Sequence, residues 1–435
     1  MSTNLEHLWM PFSANRGFKS EPRLMNEAKG MYYKKLDGTK VMDGTAGLWC
    51  CNAGHGNEKI VKAIQDQAAK LDFAPSFQMG HPLAFEAAEK LLSIAPSNDF
   101  QYTFFTNSGS EAVDTALKIA LGYQHHRGKT DKTILIGRER AYHGVGFGGI
   151  SVGGLPLNKK HFSLLPSVDH ICATHNLEKN AFSKGQPEWG KELAEDLLQV
   201  IEKHGADKIA AFITEPLAGS TGVLVPPKGY LERIREICTQ NDILLIFDEV
   251  ITGFGRLGAP FAAQYFDVEP DMITCAKGLT SGTIPMGAVI VKKEIYDAYQ
   301  DGDANSIDLF HGYTYSAHPM AAAALISSLD VYTEDNLFER TNELASYWED
   351  ALHSLKGTSH VIDIRNLGLV AGIEMSPREG SPGTRGYDVF TDGFHNHNLL
   401  LRITGDTLAL SPPLIVEKDH IDQIIDILKK IIPTH

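Results

Sequence analysis

Short apolar runs of four to six residues recur through the middle of the chain, separated by polar turns and longer stretches with helical spacing. Tyr102–Thr106, Thr133–Gly137, Ile209–Thr214, Ile243–Phe247, Met272–Cys275 and Ala288–Val291 read as strands. They do not alternate apolar with polar residues, which is the pattern of parallel strands buried on both faces. Ser110–His126, Glu188–His204 and Tyr230–Gln240 read as helices between them. This alternation predicts a three-layer α/β domain. From about residue 320 the order changes. Helices Pro319–Tyr332 and Leu337–Leu355 come first, strands near Val361–Ile364, Leu399–Ile403 and Leu408–Leu410 follow, and the helix Lys418–Ile432 closes the chain. That block reads as a smaller α+β domain, completed by short strands and turns near the N-terminus. The divisions expected are 1–65 and 321–435 for the two parts of the small domain and 66–320 for the large one.

A chain of 435 residues suits this division, being too long for one ordinary core. Its 54 acidic against 40 basic residues give a net charge of −14, which argues against nucleic acid or an anionic membrane as main partner. The longest apolar runs are far short of a membrane span. The stretch beginning Met1-Ser2-Thr3-Asn4 has no basic segment leading into an apolar core, so no signal peptide is expected. Five cysteines without C-x-x-C spacing fit a reducing cytosol better than a disulfide framework, and a cytoplasmic location is the expectation. The 18 histidines lack H-E-x-x-H or related spacing, so no metal site is expected.

Ligands in open α/β sheets gather at the carboxyl ends of the strands. Three strands here end in reactive residues: Ile209–Thr214 at Glu215, Ile243–Phe247 at Asp248-Glu249, and Met272–Cys275 at Ala276-Lys277. Each alone reads equally as a solvated strand end. A fourth element, Thr106-Asn107-Ser108-Gly109-Ser110-Glu111, joins a strand to a helix. Ser108 and Glu111 have capping-box spacing, and the free amides at the helix start can hold an anion. The plain alternative is a capped helix. Together, a phosphate cup, a strand-end aspartate and a strand-end lysine are what pyridoxal phosphate (PLP) requires. The amine condenses with the aldehyde, the carboxylate keeps the ring nitrogen protonated, and the cup anchors the phosphate.

The run from Leu244 through Phe247-Asp248-Glu249-Val250 to Gly253-Phe254-Gly255-Arg256, with Pro270-Asp271-Met272 and Ala276-Lys277-Gly278, resembles the class III PLP-dependent aminotransferases. Within that class the chain is most similar to ω-amino acid (β-alanine):pyruvate aminotransferases. Trp9–Arg16, Gly47–Cys50, Gly80-His81-Pro82, Tyr142-His143-Gly144, Glu215–Ser220 and His311–Ser316 carry that likeness. The resemblance implies PLP-dependent transferase fold type I, with a mostly parallel sheet between helices in the large domain. It also implies a ping-pong transfer of an amino group from an ω-amino acid or amine to a 2-oxo acid, pyruvate being the expected acceptor. Lys277 would be the Schiff-base lysine and proton shuttle, and Asp248 would bond the pyridine nitrogen. Val250 would pack under the ring and Tyr142 on its other face, with His143 beside it. Gly109 and Ser110 would hold the phosphate, and Glu215 would sit near the phenolic side. Trp49 would line the substrate pocket, and Arg402 would grip a substrate carboxylate. Thr314 would complete the phosphate site from a neighbouring subunit, making a homodimer with shared active sites; pairing of dimers into a tetramer is left open.

Plainer readings stand beside these roles. Trp49 reads also as a core residue, Arg402 as a surface ion pair, and His143 as a neighbour that does not touch the cofactor. Cys50-Cys51 beside Trp49 departs from the family pattern and leaves the pocket's shape open. Two other reactions of the class, 1,2-aminomutation and decarboxylating amino transfer, remain as alternatives. Gly144–Gly149 imitates a dinucleotide loop and Gly149-Ile150-Ser151-Val152-Gly153 a hydrolase elbow. Both need a helix straight after the loop, and Gly153-Gly154-Leu155-Pro156 is a poor helix start.

Overall fold

The computed structural model describes residues 4–435. The first three residues, part of the stretch read as carrying no leader, lie outside the described residues. A seven-stranded sheet forms the centre: β1 Phe100–Thr106, β2 Ile134–Arg138, β3 Val168–Ile171, β4 Ile209–Thr214, β5 Leu244–Asp248, β6 Met272–Ala276 and β7 Gly287–Lys292. Its order is β1-β7-β6-β5-β4-β2-β3. Only β7 runs antiparallel to its neighbours, β1 and β6; the pairs from β3 through β6 are parallel.

Every residue of β4, β5 and β6 is buried, and the unbroken apolar runs follow from that. Ile213, Ile246 and Met272 pack beneath the helix α1, Gly109–His126, with its Val113, Ala116 and Ala120. Phe212, Leu245, Phe247 and Ile273 face the opposite layer, with Ile234 and Ile237 of the helix Tyr230–Gln240. Each buried large apolar side chain contributes about 1.5–3 kcal/mol.

Two further four-stranded sheets lie outside this one. Glu27–Lys29, Tyr32–Lys34 and Lys40–Asp43 form an antiparallel meander. It gains a fourth strand from the far end of the chain, Leu399–Leu400, parallel to Lys40–Asp43. The other sheet joins Val361–Leu367, Val370–Met375, Thr407–Leu410 and Arg402–Thr404. The expected strand Leu399–Ile403 is therefore two strands in two sheets, parted at Leu401. The divisions at 65/66 and 320/321 fall inside the helices Glu58–Lys70 and Pro319–Glu334. One apolar cluster runs across them, from Ile60 through Phe212 and Leu245 to Ala321 and Val416.

Other expectations change in detail. Glu188–His204 is not one helix: Gly190, at φ 120°, breaks it, and a short 3-10 turn, Lys191–Glu195, leads into the helix Asp196–His204. The glycine-rich stretch is itself helical over Phe147–Val152, so Gly149–Gly153 is not a strand-to-helix elbow. Leu155-Pro156 does start a short helix, Pro156–Lys159, with proline in its first turn, where its missing N–H costs nothing. No helix among the described residues is long and apolar enough to cross a membrane.

Candidate active site

β4, β5 and β6 deliver Glu215, Asp248 and Lys277 to one cavity of about 680 Å³ at their carboxyl ends. The start of α1 supplies Gly109 and Ser110 to the same cavity, the loop after β2 supplies Tyr142 and His143, the short helical turn Ala46–Trp49 supplies Trp49, and an outer-sheet strand supplies Arg402. Ten of the eleven side chains singled out in the sequence, Val250 among them, thus meet there. The eleventh, Thr314, is exposed and does not line its own chain's cavity.

The anion cradle is built locally. Ser108 caps α1, its Oγ accepting from Glu111 N at 3.2 Å. The capping box is shifted by one residue, because the Glu111 carboxylate accepts from Asn107 N at 2.7 Å and not from the cap's own amide. The amides of Gly109 and Ser110 come before the first intrahelical bond and remain available to a ligand. Gly144, at φ 88°, closes over this turn. A Cβ there would stand 2.5 Å from Ser110 Oγ, so only glycine fits. Val145 N donates to that same Oγ at 3.1 Å.

Asp248 ends β5. Its Oδ1 accepts from Val250 N at 3.2 Å, and its Oδ2 lies 2.8 Å from His143 Nδ1. The other ring nitrogen of His143, Nε2, is buried without a partner among the described residues. Glu215 accepts from the amides of Tyr142 at 2.9 Å and Gly219 at 3.2 Å. Burial raises its carboxyl, and the nearby Asp248 adds to that. Lys277 follows β6 in the left-handed region, at φ 52°, a strained setting for a residue with a Cβ and one typical of functional sites. Burial pushes its amine down to about 8; Asp248 opposes this, and the Arg402 guanidinium adds to it. A lysine so placed is a nucleophile near neutral pH.

Arg402 is not a surface ion pair. Its guanidinium carbon lies 6.0 Å from the centroid of Trp49, its Nε is buried without a partner, and no carboxylate pairs with it among the described residues. Burial lowers its pKa. Trp49 is 2% exposed and sits at φ 66°. Glu249, the second acid of the Asp248-Glu249 pair, turns away from the cavity. Its carboxylate accepts from Ala262 N, from Ala263 N at 2.8 Å and from Thr252 Oγ1 at 2.9 Å, capping the helix Ala262–Phe266. Arg256 is structural as well. It donates to Asn52 Oδ1, Leu369 O and Pro412 O and ties together three distant segments.

Sequence reasoning gave no role to Phe12, Asn158, Ser220 and Thr404, which also line the cavity. Phe12 and Ser220 had a clue, lying within the Trp9–Arg16 and Glu215–Ser220 motifs. Asn158 sits on the four-residue helix Pro156–Lys159 and Thr404 at a strand end, both too short for periodicity to mark them. The donor set fits pyridoxal phosphate: a cradle only glycine can close, a buried carboxylate held for one further partner, and an amine pushed towards neutrality.

A family model described as Aminotransferase class-III matches residues 13–432. An omega-aminotransferase of Caulobacter vibrioides is 58% identical over 432 residues, spanning 99% of this chain and 98% of its own length. A beta-alanine–pyruvate aminotransferase of Pseudomonas aeruginosa is 47% identical over 431 residues, 97% of this chain and 94% of its own. Among solved structures, the omega transaminase from Pseudomonas jessenii in complex with PMP superposes with a TM-score of 0.90 at 31% identity, over 99% of this chain and 98% of that one.

Proposed function

The chain belongs to the class III aminotransferases, and on that premise we propose that it moves an amino group from an ω-amino acid or amine, such as β-alanine, to a 2-oxo acid, with pyruvate as acceptor. The observation that carries the substrate class is the pairing of Trp49 with an arginine that has no carboxylate partner among the described residues, on the wall of the cavity that holds Lys277. An apolar wall suits a donor with no carboxylate beside its amine. An unpaired guanidinium suits an acceptor with a carboxylate beside the reacting carbon.

Bound pyridoxal phosphate supplies an aldehyde that takes up the substrate amine and a ring that spreads the negative charge left by proton removal. The protein's part is to place groups around it. Gly109, Ser110 and the glycine at 144 offer the phosphate cradle. Asp248, held by His143 and the amide of Val250, offers the carboxylate for the ring nitrogen. Val250 and Tyr142 would pack against the two faces of the ring, and Glu215 would lie toward its phenolic side. Lys277 would hold the cofactor and move a proton at its Nζ, which near neutral pH can both accept and return it. In this reading Thr314 serves a neighbouring subunit's phosphate, so the working unit is a homodimer. The cytosol is our reading of its compartment, supported by five free thiols.

Alanine formation from pyruvate with a panel of amines tests the assignment. β-Alanine, longer ω-amino acids and amines without a carboxylate are expected to serve as donors. A protein that uses only α-amino acids, or that shifts an amino group within one molecule without consuming pyruvate, would refute it.

A further inference from the structure

Cys50 and Cys51 follow Trp49 directly, and nothing in the amino transfer uses them. Their sulfurs lie 3.8 Å apart, both half-buried. The turn that carries them has three positive φ angles: 45° at Ala46 and 66° at both Gly47 and Trp49. It folds the amides of Cys50 and Cys51 onto one acceptor, Ala46 O, at 2.8 and 3.0 Å. In an extended strand, successive side chains point apart; in this turn the two thiols converge. Two glycines border them. A Cβ on Gly47 would lie 3.5 and 3.4 Å from the sulfurs of Cys50 and Cys51, and one on Gly282 would lie 3.1 Å from each. Neither glycine covers the pair. Gly282 N in turn donates to Lys277 O at 3.1 Å.

We propose that Cys50 and Cys51 form a chelating site for a thiophilic divalent cation of the zinc and cadmium class, and that its occupation stops catalysis. Two thiolates bound to zinc at about 2.3 Å with tetrahedral angles stand about 3.8 Å apart. The two sulfurs already hold that span. Binding exchanges two thiol protons for one cation and needs no oxidant. The Asp43 carboxylate holds the same turn in shape, accepting from Thr45 N at 2.9 Å and Gly47 N at 2.7 Å and lying 2.7 Å from His55 Nε2. The His175, Asp363 and Glu374 cluster offers nothing comparable, since Arg365 Nη1 already donates to both of its carboxylates. Inhibition follows from connectivity. The thiols share a turn with Trp49 and touch the loop that runs from Lys277 to Gly282, so a bound ion fixes both to its own coordination geometry.

The test adds cadmium chloride to the reduced, cofactor-loaded enzyme in chelator-free buffer. It follows the ultraviolet thiolate-to-cadmium band alongside alanine formation. The band does not depend on the substrate assignment, so failure here and failure of the proposed function can be told apart. One ion per chain is expected, with activity lost in step and restored by a chelator. Cys50→Ser, Cys51→Ser and Cys51→Ala are each expected to weaken uptake by more than roughly 100-fold, since losing even an outer-shell partner costs 10- to 100-fold. Cys172→Ser is expected to change nothing. Uptake that is absent in the wild type or equal in these variants, or a bound ion that leaves activity intact, would overturn the proposal.

Discussion

His143 Nδ1 lies 2.8 Å from Asp248 Oδ2, and both side chains are buried. When the carboxylate is ionised it can only accept, and the proton between them then sits on the histidine Nδ1. Among the described residues the amide of Val250 is the carboxylate's one other donor, on Oδ1. Asp248→Asn removes the charge that this arrangement holds ready. Loss of one charge-assisted hydrogen bond costs about 2–3 kcal/mol, hence a roughly 10²-fold lower rate. His143→Asn, which loosens the carboxylate without neutralising it, is expected to lose only about tenfold. Turnover numbers for both variants check the order; an Asp248→Asn enzyme near wild-type rate would remove Asp248 from the chemistry.

Lys277 imposes a pH dependence whose sign follows from its position. Its amine is pushed down to about 8 in the folded chain, against about 10.4 when unfolded. Below pH 8 the folded state carries the full cost of burying the ammonium. Between pH 8 and 10.5 the folded chain releases its proton first, and stability is regained as pH rises. In the cofactor-free protein, Lys277→Met is expected to raise the melting temperature at pH 7, by up to about 3 kcal/mol of stability, and to raise it less at pH 10.5. Thermal melts at the two pH values measure the gap; an equal gap at both would exclude this origin.

Arg402 separates the two halves of the reaction. Removing one partner of a desolvated charge pair costs about 2–5 kcal/mol. Arg402→Ala should therefore slow the pyruvate half by roughly 30- to 3,000-fold. The half that consumes an amine without a carboxylate should barely change. Single-turnover absorbance traces resolve the two. Equal losses would make Arg402 a structural residue.

Thr314 is exposed and lies outside the cavity of its own chain. If it acts on a neighbour, removing the cofactor weakens the dimer and restoring it raises stability through linkage. Sedimentation with and without the cofactor decides this; a fully active monomer would rule it out.

The central sheet was readable because β4, β5 and β6 are buried on both faces and so carry no charged residue before their carboxyl ends. The reactive strand ends were readable for the same reason: Glu215, Asp248 and Lys277 are the first charged residues after those runs. The Leu399–Ile403 segment misled because it is an unbroken run without a turn residue, and only the pairing partner changes at Leu401. Gly190 and the shifted cap at Asn107 depend on single backbone angles and hydrogen bonds, which residue patterns do not encode. The distinction between Asp248 and Glu249 was also hidden, since strand-end neighbours point to opposite sides and only the packed helix Ala262–Phe266 shows which one is used for capping.

The parallel pairing of Leu399 with Met42 sets an order of events during synthesis. The first three strands emerge early, yet their last edge is closed by residues made near the end. At ribosomal speeds of about 5–20 residues per second, that edge waits roughly 20 to 70 s for its partner. Through that interval the nascent N-terminus presents unpaired backbone groups, a template for pairing with other chains. The central sheet, whose strands all lie between Phe100 and Lys292, can assemble meanwhile. The cavity's Trp49 side, attached to the waiting segment, is then the last wall to be set, and a newborn chain acquires its lysine and aspartate before it acquires the means to choose a substrate.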